Sequence, residues 1–90
     1  MEMQAAVAKL RAHGTGHARF TPTLQILSLA WNDNIVGHLQ SVARGHGLTN
    51  EGYSIKNGII NKTLGITVSG PATKIADFAE DVDAFIAKNA

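Results

Sequence analysis

Apolar positions recur along this chain with helical spacing, then with strand spacing, then with the two in alternation. Over residues 3–13, Met3, Ala6, Val7 and Leu10 fall at i, i+3, i+4 and i+7 and predict one face of a helix. Alanines at 5, 6, 8 and 12 raise its propensity, and Gly14 stops it. Gly14-Thr15-Gly16 reads as a turn, and His17–Phe20 as a short strand followed by Pro22, which suits a sheet edge. Residues 23–31, TLQILSLAW, give the clearest strand. Leu24 and Ile26 point one way, Leu27, Leu29 and Trp31 the other, so both of its faces are expected to be covered. Asn32-Asp33-Asn34 are turn formers and good helix caps. Ile35, Val36, Leu39, Val42 and Ala43 then outline a second amphipathic helix, ended by Gly45 or Gly47. Residues 52–61 alternate as a strand with a bulge or bend at Gly58, and Asn61-Lys62 reads as a tight turn. Leu64, Ile66 and Val68 alternate cleanly in the next strand, and Gly70-Pro71 opens a last helix with an apolar stripe from Ile75 to Ile86.

The predicted order is α, short β, β, α, β, β, α. This is an α+β chain: a ferredoxin-like split βαββα unit over residues 23–90, with an extra helix and short edge strand over 1–22. The helices are expected on one face of an antiparallel sheet. The expected core is Leu27, Leu29, Leu39, Val42, Leu64, Ile66, Val68, Phe78, Val82 and Phe85. Leu24 and Ile26, beside the small residues Thr63, Gly65 and Thr67, are expected on the helix-free face as an oligomer interface. Segment 17–21 either supplies the missing last strand or leaves the sheet open for a partner's strand.

Composition narrows the classes. Ninety residues make one domain of 1–90, small enough that added burial would help it. There is no cysteine, hence no disulfide, thiolate metal site or cysteine nucleophile. A net charge of +1 is not the footprint of a nucleic-acid binder, and no apolar run is long enough to span a membrane. MEMQAAVAKLRAHG does not read as a signal peptide, and a cytoplasmic location is expected. Charge is uneven: residues 1–74 carry a net +4 and residues 75–90 a net −3, so the acidic end can pair within the chain or across an oligomer.

Chemistry-bearing motifs are sparse. His13 and His17 are four apart but flank the Gly14-Thr15-Gly16 turn, and with His38 and His46 they form no recognisable metal set. No nucleophile elbow, phosphate loop or dinucleotide fingerprint occurs. The one candidate ligand site is Trp31-Asn32-Asp33-Asn34, where a strand ends and a helix begins with free N–H groups.

Two resemblances bear on function. Residues 64–87, LGITVSGPATKIADFAEDVDAFIA, resemble the third strand and second helix of ACT-type regulatory domains, and in particular the C-terminal domain of nickel-responsive repressors. Residues 8–23, AKLRAHGTGHARFTPT, are similar to the helix, turn and last strand of that domain, as in a permuted unit. The resemblance implies a ferredoxin-like fold and, at Trp31–Asn34, a small-effector site. It implies no nickel site, because the ligand positions hold Ile55, Asn57 and Thr63. Val36-Gly37, GHGLTNEGYSIKN and VSGP are similar to acylphosphatases, which would place a catalytic asparagine at Asn57 and a phosphate-binding arginine at or beside Leu39. No arginine lies between Arg19 and Arg44 to clamp a phosphoryl group.

The expected function is therefore a non-enzymatic regulatory or protein-interaction module without metal or cofactor. It is expected to form a homodimer or higher homo-oligomer, with a protein partner or small effector. The alternatives are an ACT-type small-molecule or metal-ion sensor and, less favoured, an acylphosphatase-like hydrolase.

Overall fold

The computed structural model describes residues 2–32 and 34–89; Asp33 and the side chain of Met3 lie outside the described residues. Helix α1 spans Glu2–Ala12, strands β1 and β2 span His17–Phe20 and Thr23–Leu27, and a 3-10 turn covers Ser28–Ala30. Helix α2 (Asn34–Gly45), strands β3 (Thr49–Asn57) and β4 (Asn61–Pro71), and helix α3 (Ala72–Asn89) complete the chain. The fold is α+β with an open antiparallel sheet, compatible with a ferredoxin-like unit plus the N-terminal additions. Gly47, at φ +77°, ends the turn after α2 in a conformation that disfavours a Cβ.

β4 is the centre of the sheet. β3 lies against residues 62–69 of β4 and fills one of its edges. β1 opposes residues 68–71 and β2 opposes residues 61–65, so both must occupy the other edge. They share one register: Phe20 faces Val68 and Thr23 faces Gly65, with no residue gained or lost between them. The Ile66 amide donates to the Pro22 carbonyl at 3.2 Å, and the Thr21 and Thr67 hydroxyls meet at 2.9 Å. Residues 17–27 are thus one long strand, nicked where Pro22 has no N–H to return. Segment 17–21 does not stand in for a missing last strand beside β2. It continues β2 along β4.

The helices cover one face. Leu24, Leu64, Ile66, Val68, Ile75, Phe78 and Val82 are fully buried in one cluster that also takes in Leu39 and, from α1, Val7 and Leu10. Val42, Trp31 and Phe85 pack on its margin, half-buried. α1 lies along α3, where Arg11 bridges Asp77 at 3.1 Å and also reaches Glu80. His46 Nε2 meets Asp81 Oδ2 at 2.6 Å. Three of the acidic groups of the last segment therefore pair within the chain.

Four expectations are corrected. Leu24 and Ile26 are not on the helix-free face with Thr63, Gly65 and Thr67. Leu24 opposes Leu64, cross-strand neighbours share a face, and both Leu24 and Ile26 are buried under the helices. Leu27 and Leu29 are not core: the strand ends at Leu27, the 3-10 turn swings outward, and Leu29 is fully exposed. The hairpin turn is at Gly58–Ile60 rather than Asn61-Lys62, because Asn57 already pairs with Lys62. Gly58 belongs to that turn, where an added Cβ would sit 2.5 Å from the Asn61 carbonyl oxygen. The strand irregularity falls between Asn50 and Gly52 instead.

Candidate functional site

The turn formers Asn32 and Asn34 lie where β2 hands over to α2. The Asn34 amide donates to Asn32 Oδ1 at 2.9 Å, an Asx turn that sets the entry of the helix. From there helical spacing brings Asn34, Ile35 and His38 along one side of α2. Phe85 approaches from α3, and its ring lies 5.5 Å from that of His38. These residues, with Ile26 and Ala30, line an open cavity of about 390 Å³. That volume falls in the range of small-molecule sites. Its floor is apolar (Ile26, Ile35, Phe85), and among the described residues its polar groups are two amides and an imidazole.

Of the four residues expected here, Asn32 and Asn34 line the cavity and Asp33 lies outside the described residues. Trp31 does not line it; the half-buried ring carries the Lys62 ammonium 5.3 Å from its centroid. Sequence reasoning missed Ile26, Ala30, Ile35, His38 and Phe85. The i, i+4 spacing of Asn34 and His38 was a usable signal; the arrival of Phe85 from α3 was not. Among the described residues no group of three histidine, aspartate or glutamate side chains could hold a metal ion. Leu39, where the acylphosphatase resemblance needs an arginine, is buried in the core, and Asn57 is exposed at the end of β3.

Two other surfaces stand out. The helix-free face is polar. Ser69, itself buried, donates from Oγ to Glu51 Oε2 at 2.7 Å, and Arg19 reaches Glu51 Oε1 at 3.4 Å. The Ser69 hydrogen bond is the main cause that holds the Glu51 carboxyl below the ordinary glutamate range, with Arg19 adding to it. Thr63, Gly65 and Thr67 lie on this face as expected, but among hydroxyls and charges rather than beside leucine and isoleucine. The second surface is the sheet end where β2, the 3-10 turn and the β3–β4 turn meet. Leu27, Leu29, Ile59 and Ile60 are exposed there; Ile55 and Tyr53 are also exposed on β3, but opposite Leu64 and Ile66 and so on the other face of the sheet from Leu27. The Ser28 amide ties the two turns together by donating to the Ile60 carbonyl at 2.8 Å. No family model, curated protein or solved structure matches this chain.

Proposed function

We propose that this chain is a non-enzymatic interaction module that self-associates. The observation that supports it is the apolar sheet end: Leu29, Ile59 and Ile60 are exposed on two turns tied together by the Ser28–Ile60 bond, beside the exposed Leu27 at the end of β2. Contiguous apolar surface of this kind marks association sites in soluble proteins. A domain of this size gains most from burial against a second copy. Sedimentation velocity at micromolar concentration tests the proposal. A species heavier than the 9.5 kDa chain is expected; that mass alone at every concentration overturns it.

The cavity beneath His38 and Phe85 favours a second reading, a sensor of a small neutral polar molecule. Two asparagine amides and one imidazole offer donors and acceptors, and among the described residues no carboxylate, lysine or arginine lines the cavity. A ligand that binds only the folded chain raises its melting temperature by mass action. A screen of neutral metabolite-sized compounds should yield a shift that Asn32→Ala abolishes. A shift that survives Asn32→Ala places the ligand elsewhere.

A further inference from the structure

Strand 17–27 leaves one whole edge of the sheet open, and its backbone phase shows what that edge offers. In an antiparallel ladder each residue points both backbone groups toward its partner strand or both away, alternately. Gly16 and Pro22 accept from β4 residues or the residue just after β4, and Ser28 donates to the residue just before it. These three share one phase and face inward. His17, Arg19, Thr21, Thr23, Gln25 and Leu27 have the opposite phase, so their N–H and C=O groups point outward, and all six residues are exposed. Proline commonly blunts an edge strand by turning its missing donor to solvent. Pro22 has the wrong phase for that: its missing donor faces Ile66. β3, the other edge, carries both a bulge and the charges of Glu51 and Lys56. Its ladder is broken by that bulge, whereas strand 17–27 keeps one unbroken register.

We propose that two copies of this chain pair edge to edge along residues 17–27, antiparallel, about a two-fold axis at Pro22. The proposal rests on the self-association inferred above but places the contact along the strand edge, where Leu27 is the residue of the apolar sheet end that takes part. The six outward residues lie three on each side of Pro22, so a two-fold axis there matches every one with an outward residue of the second copy. Thr21 meets Thr23, Arg19 meets Gln25, and His17 meets Leu27. About twelve backbone hydrogen bonds close the edge. The charges fit this register. Each Arg19 faces a neutral glutamine, and the two arginines stand about 20 Å apart, beyond the screening length in physiological salt. A shift of the axis by two residues toward the N-terminus brings them within about 8 Å and leaves Gln25 and Leu27 unmatched.

Because the chain has no cysteine, single introduced cysteines give clean spin-label sites. Arg19→Cys and Gln25→Cys should report the same inter-copy distance, about 20 Å, and His17→Cys about 33 Å. Gln25→Pro removes an outward donor without touching the β4 ladder and should abolish the dimer at micromolar concentration. A dimer in which the Arg19 and Gln25 distances differ by more than about 10 Å overturns the edge geometry and leaves self-association standing. A Gln25 distance shorter than the Arg19 distance points to contact through the apolar sheet end. A monomer by sedimentation overturns both proposals. If Gln25→Pro does not fold, the label distances decide alone.

Discussion

The two faces of the sheet are made from the same strands by opposite means. On the helix side Leu24, Leu64, Ile66 and Val68 are fully buried, and water is excluded by volume alone. On the other side Thr21, Thr67, Ser69, Arg19 and Glu51 satisfy one another by hydrogen bonds and an ion pair, all but Ser69 in reach of solvent. The first face depends on packing, where each lost methylene leaves a void. The second depends on paired polar groups, whose net worth is small because water offers much the same bonds. Leucine is therefore indispensable at one position of β2 and optional three residues later.

Substitution along that one strand and its neighbours tests the contrast. Leu24→Ala should cost about 2–5 kcal/mol, a large part of a small domain's stability, read from the denaturant midpoint. A loss under about 1 kcal/mol would place Leu24 outside the core after all. Ser69→Ala should act next most strongly, and through pH. With its carboxyl held below the ordinary range, Glu51 contributes stability that is present above the unfolded glutamate value and lost as pH falls through the folded one. Between about pH 6 and about pH 3 the parent should therefore lose more stability than Ser69→Ala. Parallel urea-midpoint curves for the two proteins would show that the bond does not hold that carboxyl down. Thr67→Val removes only the hydroxyl pair with Thr21 and should cost less than about 1 kcal/mol. Leu27→Ala, at a site 49% exposed, should stay within about 0.5 kcal/mol in the monomer; a larger loss there would mean the sheet end is covered within the chain.

The same contrast explains what the sequence made legible. β4 was readable because only one of its two residue phases is apolar: Leu64, Ile66 and Val68 alternate with threonine, glycine and serine. The stripes of α2 and α3 were readable for the same reason. β2 was not. Leu24 and Ile26 compete with Leu27 and Leu29, and alternation alone cannot say which pair faces inward. Register against β4 decides it, and register is a property of two strands. Ile59 and Ile60 misled in a similar way, since apolar residues in a turn look like the continuation of a strand. At the candidate site, Asn32 and Asn34 announced a strand-to-helix junction through local chemistry, whereas the His38–Phe85 wall exists only once α3 has packed beside α2.

Pairing on both edges of β4 also gives the fold an order of assembly. β3 reaches β4 through the three-residue Gly58–Ile60 turn, while strand 17–27 reaches it across all of α2 and β3. Loop closure is costlier for the longer separation, and hairpins form within microseconds. The β3–β4 hairpin is therefore the natural nucleus and strand 17–27 a late arrival. Native-state hydrogen exchange should find the amides shared by β3 and β4 opening last, and those between β2 and β4 earlier. Until strand 17–27 docks, β4 offers the same vacant ladder to the equivalent strand of any other molecule. Concentrated refolding should then yield exchanged dimers, in which each chain's residues 17–27 complete the other's sheet.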